Sequence, residues 1–327
     1  MKMVVIGDEA RTRRFLPHDG LAQECPVAVV ARGTSDEDIL AEHSDAWFVM
    51  ADAISPVSAR LIEGMPDLKL IHSEGVAFNL IDLDAASKRG IPVCNCAGMN
   101  AAAVAEQAVL LMLACLRDFV NADAAVRAGH QIATKERMMV EGITELGECT
   151  VGLIGFGAIA RATAQRLAPF GCKLLYNKRH RLSPEEEDAL GVEYASIEHI
   201  AQTCDIVSLH CPVTDDTRNM VNAAFLGSMK PTAILINTAR GEVVDQHALA
   251  QALESGTIAA AGMDTLSPEP VEPDHPLLAA GPSVSSKVVL SPHIGGVTKG
   301  MFTRAHKLVW DNAARVLAGQ QPLNKVN

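Results

Sequence analysis

Residues 151–160 read VGLIGFGAIA, and this stretch constrains the fold of the chain more than any other. A short apolar run leads into a glycine-rich turn and then an alanine-rich helical pattern, which predicts a strand, a tight turn and a helix start. Gly155 can make the turn, Gly157 lets the backbone approach a phosphate, and Ala160 permits close packing of helix on strand. The first amides of the helix then face an anion. The pattern predicts a site for the pyrophosphate of a dinucleotide, although such glycines also occur in turns that are only structural.

The composition indicates two α/β domains. The chain has 327 residues, which is long for one domain, and 48% of them are apolar while only 4% are aromatic. The buried strands of parallel sheets are rich in such aliphatic residues. The net charge of −11, with no long basic run, disfavours nucleic acid and anionic membrane surfaces as partners.

The chain shows no signal for secretion, membrane insertion or a metal site. The start, MKMVVIGDEA, is typical of a strand, because its apolar core is too short for a signal peptide. The most apolar helical segment, 100–116, is short and interrupted by Glu106, so we predict a buried helix. The eight cysteines are scattered, and the close pair Cys94 and Cys96 lacks the C-x-x-C spacing of zinc and redox sites. We therefore expect reduced thiols in a cytoplasmic protein.

Apolar runs alternate with helical patterns along both halves of the chain. The predicted strands are 3–7, 27–31, 46–50, 68–72 and 91–95, then 150–155, 172–176, 205–210, 233–237, 258–262 and 288–292. This order predicts two α/β units with parallel sheets and right-handed crossovers. Segment 121–147 reads as polar and irregular, and the last helix, 298–317, must pack on one of the units. Ligands of such sheets bind at the carboxyl ends of the strands, so we expect a small substrate in the cleft between the units.

Three polar residues follow strands or lie in loops of the second half. Arg240 follows the run AILIN, Glu269 lies in a proline-rich loop, and His293 follows VVLS. Taken singly, each has an ordinary explanation: a surface arginine, a loop charge and a histidine at a turn. Together with the glycine turn they indicate a catalytic site.

These motifs resemble those of the D-isomer-specific 2-hydroxyacid dehydrogenases, along almost the whole chain. The matching segments are GVAFNLIDLDAASKRGIPVCN (75–95), NAAAVAEQAVLLML (100–113), the glycine turn, CDIVSLHCPVTDDTRNMV (204–221), INTARGEVVDQHAL (236–249), AGMDTLSPEP (261–270) and VVLSPHIGG (288–296). The resemblance implies two doubly wound parallel-sheet domains: a flavodoxin-like substrate domain, 1–99 plus 293–327, and a Rossmann dinucleotide-binding domain, 100–292. It also implies a homodimer, to which the helix 100–116 would contribute.

The resemblance implies hydride transfer between NAD(P)H and a small 2-oxo or D-2-hydroxy acid. The planar fork of Arg240 can hold the carboxylate and carbonyl of the acid. His293 can donate a proton to the carbonyl oxygen as hydride arrives, and Glu269 can accept a hydrogen bond from its other nitrogen and favour the charged ring. The backbone amides of Val76 and Ala77 would bind the substrate carboxylate.

The same resemblance implies the cofactor contacts. They are Gly155, Gly157, Ala158, Ile159, Asn177, Lys178, Arg179, His210, Cys211, Pro212, Thr238, Ala239, Arg240, Asp264, His293 and Gly295. Asp264 would lie near the nicotinamide carboxamide. Cys211 is equally compatible with a buried thiol that touches the cofactor only by packing.

The strand after the glycine turn departs from the NAD pattern. It ends at Asn177, followed by Lys178 and Arg179, where NAD enzymes have an acidic residue that binds the ribose hydroxyls. Asn177 has no charge to repel a 2′-phosphate, and either basic residue can pair with one. We therefore predict NADP(H) over NAD(H). The alternative is a solvated basic turn, with Asn177 holding the ribose of NAD.

The substrate loop narrows the choice of acid. Phosphoglycerate dehydrogenases of this family place an arginine near Ser73, whereas this chain has Glu74 next to it, which argues against a phosphorylated substrate. Formate dehydrogenases pair their histidine with glutamine, whereas Glu269 is a carboxylate, which argues against formate as the substrate. Ala77 replaces the usual glycine and predicts a tighter loop, and Phe78 or Met99 either covers a substrate side chain or belongs to the core. The expected substrate is of the glyoxylate or hydroxypyruvate type.

A second hypothesis is a dinucleotide-sensing regulatory protein, because some proteins of this fold act as transcriptional corepressors. Such a protein needs a partner-binding tail or groove. The chain ends soon after its last helix, in QQPLNKVN, without a low-complexity tail, so the sequence favours the enzyme.

Overall fold

The computed structural model describes residues 1–327, which form twelve strands, sixteen α-helices and three short 3-10 helices. The strands are β1 (Met3–Ile6), β2 (Val27–Val30), β3 (Phe48–Ala51), β4 (Leu70–Ser73), β5 (Val93–Cys94), β6 (Thr150–Ile154), β7 (Lys173–Asn177), β8 (Glu193–Tyr194), β9 (Ile206–Leu209), β10 (Ile234–Asn237), β11 (Ala260–Met263) and β12 (Val288–Leu290). The helices are α1 (Glu9–Phe15), α2 (Leu21–Glu24), α3 (Asp36–His43), α4 (Ala59–Glu63), α5 (Leu83–Lys88), α6 (Ala101–Leu116), α7 (Phe119–Arg127), α8 (Gln131–Glu141), α9 (Ala158–Leu167), α10 (Pro184–Leu190), α11 (Ile197–Thr203), α12 (Ala223–Ser228), α13 (Gln246–Ser255), α14 (Pro276–Ala279), α15 (Pro282–Ser285) and α16 (Lys299–Leu317). The 3-10 helices are Leu146–Glu148, Ala168–Phe170 and Gly241–Val243.

The chain divides into two compact units. The first holds residues 1–100 and 297–327, and the second holds residues 101–296. Residues 293–296 therefore belong with the second unit, where the amides of His293, Ile294 and Gly295 bond to Asp264. The boundaries predicted from the sequence, after 99 and after 292, stay a prediction.

The first unit is built on a five-stranded parallel sheet in the order β2-β1-β3-β4-β5. This is the doubly wound order of flavodoxin-like folds. Strands β1, β3 and β4 are buried along their whole length, as is typical of a parallel sheet that is covered on both faces. Helix α16 packs its buried face, with Val309, Trp310 and Ala313, into the same core.

The second unit is built on a seven-stranded parallel sheet in the order β12-β11-β10-β9-β6-β7-β8. The chain leaves β6 for β7 on one side and later returns to β9 on the other, so the order reverses next to β6. In open α/β sheets a crevice forms at such a point, outside the carboxyl ends of the strands. The glycine turn follows β6 and therefore lies at this crevice. The predicted fold class, with two parallel-sheet α/β domains including a Rossmann domain, is confirmed.

The sequence prediction misses β8, a pair of exposed residues, and it is wrong for one longer segment. Segment 121–147 was expected to be irregular, but most of it forms α7 and α8. The glycines that suggested loops lie at the helix ends: Gly129 follows α7, and Gly142 ends α8 with a φ of 83°. Glycine is favoured at such positions because it adopts positive φ without steric cost.

The structure also bears on two further points, which are membrane-spanning helices and the positions of Phe78 and Met99. None of the helices is both long and apolar enough to cross a bilayer. Phe78 packs against the hydrophobic core beneath β3 and β4, and Met99 packs against Cys96, Ala305 and Leu308. Both side chains therefore contribute to packing in the first unit.

Candidate active site

The glycine turn has the shape that a dinucleotide requires. Strand β6 ends at Ile154, Gly155 has a φ of +89°, and Gly157 is the N-cap of α9. A Cβ at Gly155 would lie 2.5 Å from the backbone nitrogen of Cys211, so only glycine fits this turn. A Cβ at Gly157 would meet no atom within 4 Å, so this side of the turn is open space into which a phosphate can approach the backbone. Residues and geometry thus fit a dinucleotide.

A cavity of about 590 Å³ elsewhere in the second unit does not suit a dinucleotide. Four carboxylates line it, those of Glu242, Asp245, Glu272 and Asp274, against the single arginine Arg218. Such a lining repels phosphate groups.

The cavity at the glycine turn, of about 570 Å³, has no carboxylate in its lining and carries the cations Lys178 and Arg179. The predicted residues that line it are Gly155, Gly157, Asn177, Lys178, Arg179, His210, Cys211 and Pro212. Seven further residues line it and were not predicted: Ile154, Phe156, His180, Ile197, Thr214, Thr217 and Met220. Ala158 and Ile159 form the first turn of α9 behind the glycines. The sequence signal for the threonines was present in the segment CPVTDDTRN, but without a strand order it did not reveal that they face the turn.

The basic residues after β7 differ in their availability. Arg181 is engaged with Glu187, with Nε to Oε1 and Nη2 to Oε2 both at 2.8 Å, and this pairing lowers the pKa of Glu187 to about 2. Lys178 and Arg179 form no ion pair. The Asn177 amide donates through Nδ2 to the carbonyl oxygen of Ala195 at 2.8 Å. Two unpaired cations therefore line the cavity next to a neutral strand end.

His210 and Cys211 line the cavity in their uncharged forms. Burial lowers the pKa of His210 to about 4, and its Nε2 lies 3.0 Å from the Ser208 hydroxyl. Burial also raises the pKa of the Cys211 thiol. Because a thiol is nucleophilic as thiolate, Cys211 is suited to packing against a ligand and not to attacking one.

His293 and Glu269 form a hydrogen-bonded pair. Nδ1 of His293 lies 2.8 Å from Oε2 and 3.1 Å from Oε1 of Glu269. Since a carboxylate only accepts hydrogen bonds, Nδ1 is the donor and the tautomer is fixed. Nε2 of His293 has no partner in the protein and is free for a ligand.

Arg240 presents an unpaired guanidinium after β10. Its Nη1 donates to the carbonyl oxygen of Ala239 at 2.7 Å, and no carboxylate pairs with it. The turn beneath is held by Asn237, whose side chain donates to the Arg240 carbonyl at 2.9 Å and accepts from the Ala239 amide at 3.0 Å. Thr238 and Ala239 are buried in this turn. The backbone that carries Arg240 is therefore held in place, while the residue itself is exposed.

Asp264 organises the loop that carries His293. This buried carboxylate accepts from the amides of Ile294 at 3.0 Å and Gly295 at 2.8 Å and from the Ser291 hydroxyl. A Cβ at Gly295 would lie 2.8 Å from Oδ2 of Asp264, so glycine permits the approach. His293 itself has a φ of 55° and donates its amide to the Asp264 carbonyl. The predicted residues Asp264, His293 and Gly295 are thus in direct contact.

Val76 and Ala77 lie in the first unit, in the loop after β4. Neither backbone amide donates a hydrogen bond within the protein, and Val76 is exposed. Two successive free amides are a candidate binding site for an anion. A partner network for this loop, involving Asn95, Glu74 and Arg11, was not predicted, because these residues are distant in sequence and match no motif.

Comparisons with known proteins agree with this geometry. The family model described as D-isomer specific 2-hydroxyacid dehydrogenase, NAD binding domain, matches residues 109–295. A glyoxylate reductase from Thermofilum pendens is 37% identical over 320 residues, which is 96% of this chain and 93% of that protein.

Two solved structures cover the whole chain. A Thermus thermophilus protein has a TM-score of 0.82 and 30% identity, covering 100% of both chains. A D-2-hydroxyisocaproate dehydrogenase has a TM-score of 0.87 and 25% identity, covering 100% of this chain and 99% of that one. With a glycine turn for a nicotinamide dinucleotide and a histidine–carboxylate pair in one unit, the chain belongs to the D-isomer-specific 2-hydroxyacid dehydrogenases, which transfer hydride between NAD(P)H and a 2-oxo or 2-hydroxy acid.

Proposed function

We propose that this enzyme reduces a small, non-phosphorylated 2-oxo acid of the glyoxylate or hydroxypyruvate type. The observation that carries the proposal is the His293–Glu269 pair, which fixes the donor tautomer and leaves Nε2 of His293 free. The glyoxylate reductase of Thermofilum pendens supports the choice of acid. These similarities favour an enzyme over a regulatory protein.

Each catalytic side chain has one task. A reduced nicotinamide supplies the hydride. Arg240 binds the acid through its planar fork of donors and polarises the carbonyl that receives the hydride. His293 donates a proton from Nε2 to the carbonyl oxygen, and Glu269 stabilises the positive ring before this transfer. In the oxidation direction His293 takes the proton back.

The remaining site assignments are part of the same proposal. The free amides of Val76 and Ala77 bind the substrate carboxylate. Asp264 would lie near the carboxamide of a bound nicotinamide, and Thr238, Ala239 and Arg240 would line its ring. The glycine turn and the first residues of α9 bind the pyrophosphate.

We propose NADP(H) as the preferred cofactor. The cavity at the glycine turn carries two cations without carboxylate partners, Lys178 and Arg179, and lacks the acidic strand end that would repel a 2′-phosphate. Asn177 is neutral, and its amide nitrogen is bonded to Ala195. Reduction is the favoured direction with this cofactor.

We further propose a homodimer in the cytoplasm. Helices α7 and α8 contain no buried residue, yet they expose Phe119 (62%), Ile132 (61%), Met139 (73%) and Val140 (88%). An apolar surface of this kind is normally covered, and a second copy of the chain is the occupant we propose. Helix α6, expected at the interface, packs Ala108, Leu111 and Met112 into the core of the second unit and exposes Leu110. The eight cysteines are all free, which fits a reducing compartment.

An assay that follows the absorbance of reduced nicotinamide tests the proposal. Wild-type enzyme should oxidise NADPH with glyoxylate or hydroxypyruvate in a panel of 2-oxo acids. Replacing Arg240 by Ala should lower kcat/KM by about a thousandfold with unchanged NADPH binding, because the group that orients and polarises the acid is lost. Arg218→Ala, which removes an arginine from the acidic cavity of the same unit, is the matched control and should keep full activity. Cofactor binding without turnover of any acid by the wild type would refute the proposal.

A further inference from the structure

The loop after β4 is held so that its two free amides point the same way. The carbonyl oxygen of Gly75 accepts from the backbone amide of Cys96 at 2.8 Å, and that of Val76 accepts from Nδ2 of Asn95 at 2.8 Å. A trans peptide is planar, and its N–H points opposite to its C=O. Fixing these two carbonyls toward Asn95 and Cys96 therefore turns the amides of Val76 and Ala77 away from that segment, to the open side of the loop.

The orientation of the Asn95 side chain is itself fixed. Its Oδ1 accepts from the amide of Ala97 at 3.2 Å, so Nδ2 must be the group that faces the Val76 carbonyl. Asn95 is buried, and its own backbone amide donates to the carbonyl of Asn324 at 3.2 Å. One side chain thus connects a rigid segment to the peptide that carries the Ala77 amide.

A buried ionic cluster anchors the start of the same loop. The carboxylate of Glu74, which is 5% exposed, accepts from Nη2 of Arg11 at 2.6 Å and from Nε2 of His306 at 2.8 Å. The amide of Glu74 donates to Ala51 at 2.7 Å, and the Ser73 hydroxyl donates to the Ala77 carbonyl at 2.6 Å. Every carbonyl from Gly75 to Ala77 is therefore held, while the two amides stay free.

We propose that Asn95 is a positioning residue for substrate binding: it holds the 76–77 peptide so that the Val76 and Ala77 amides form a preorganised cradle for the carboxylate of the 2-oxo acid. The inference rests on the proposed function and adds the residue that orients the cradle. Preorganisation matters because amides that already point at the carboxylate need no rearrangement on binding.

Asn95→Asp tests the role with almost no change in shape. The aspartate keeps the acceptor for the Ala97 amide but replaces the Nδ2 donor by an oxygen, which repels the Val76 carbonyl and lets the peptide turn. We expect KM for the 2-oxo acid to rise by about tenfold, with KM for NADPH within about twofold of wild type. Asn222→Asp is the matched control: it is the same substitution at the N-cap of α12 in the second unit, where aspartate is an equally good cap and the side chain bonds neither to the loop nor to the Asn95 segment. It should leave both constants within about twofold.

A second measurement does not depend on turnover. In NADPH-loaded wild-type protein, oxamate, an amide analogue of a 2-oxo acid, should shift the backbone amide resonances of Val76 and Ala77. Asn95→Asp should require about tenfold more oxamate for the same shift. If Asn95→Asp does not fold, Asn95→Ala, which removes both side-chain bonds without adding a charge, is measured in its place.

The outcomes separate the two proposals. Equal oxamate titrations in wild type and the Asn95 variant, an equal loss in Asn222→Asp, or no shift of the two amides in wild type would each overturn the role of Asn95. Failure of the wild type to reduce any 2-oxo acid would overturn the proposed function, and the oxamate titration would then decide on the cradle alone.

Discussion

At the scale of single residues, two buried histidines are held neutral by their surroundings. Burial lowers the pKa of His72 and of His210 to about 4. His72 donates from Nδ1 to the carbonyl of Ser73 at 2.8 Å and accepts at Nε2 from the amide of Asn312 at 3.1 Å. A second proton on this ring would face the Asn312 donor, so the folded protein resists protonation.

This neutrality predicts a loss of stability in mild acid. Between the ordinary histidine pKa and about 4 the unfolded chain binds a proton that the folded chain does not, so stability is complete above that range and falls as pH decreases through it. Each histidine should reduce the free energy of unfolding by about 2 kcal/mol between about pH 7 and about pH 5. Urea unfolding at the two pH values checks this. His72→Gln should be less stable near neutrality but lose less on acidification, and an unchanged slope in this variant would contradict the account.

At the residue scale, some functional residues could be predicted from the sequence and others could not. Arg240, Glu269 and His293 could be proposed from motifs, because each motif carries its chemistry within a few residues. Asn95 could not, because its role depends on a hydrogen bond to Val76, nineteen positions away, across two strands of a sheet. Glu74 could be noted as a charge, but its partners Arg11 and His306 come from opposite ends of the chain.

At the scale of elements, the β6–α9 turn uses its two glycines for different purposes. Gly155→Ala places a Cβ against Cys211 at a positive φ and should destabilise the protein by about 2–4 kcal/mol. Gly157→Ala meets open space at a φ of −93°, so it should fold like wild type but bind NADPH more weakly, because its methyl group occupies the approach of the phosphates. Thermal unfolding and NADPH titration separate the two effects. Equal stability of both variants would show that the close contact with Cys211 is not limiting.

The end of β7 predicts the response of cofactor preference to charge. Asn177→Asp places a carboxylate next to Lys178 and Arg179, where it repels a 2′-phosphate and can bind ribose hydroxyls. The ratio of kcat/KM for NADPH to that for NADH should fall by about a hundredfold. Asn222→Asp is the matched control, since aspartate is an equally good N-cap for α12 and lies outside the cavity lining. A wild-type preference for NADH would refute the assignment of NADP(H) as the preferred cofactor.

At the element scale, the periodicity of the sequence predicted most strands but missed some elements. Eleven of the twelve strands could be predicted, because each is a short aliphatic run between turn signals, whereas β8 consists of two exposed residues and was missed. Helices α7 and α8 were missed, because the segment is polar and its glycines suggested loops, although Gly129 and Gly142 lie at the helix ends.

At the scale of the whole molecule, the exposed apolar surface of α7 and α8 predicts a dimer. Wild-type protein should sediment at about twice its chain mass of 34.7 kDa. The double substitution Met139→Glu and Val140→Glu places two charges on this surface and should yield a folded monomer. Leu323→Glu, at an exposed apolar residue of the first unit, should leave the dimer intact. A wild type that sediments as a monomer at micromolar concentration would contradict the proposed assembly.

The central claim is that the enzyme passes a hydride to the oxo carbon of a 2-oxo acid while His293 protonates the oxygen. The most direct measurement uses NADPH that carries deuterium at the transferable position of the nicotinamide, with glyoxylate as acceptor and mass spectrometry of the product. The account predicts glycolate with one deuterium on the carbon that carried the oxo group, and almost none with His293→Ala, because no group then supplies the proton. Absence of deuterated product with the wild-type enzyme across the panel of 2-oxo acids, or its undiminished formation by His293→Ala, would contradict it.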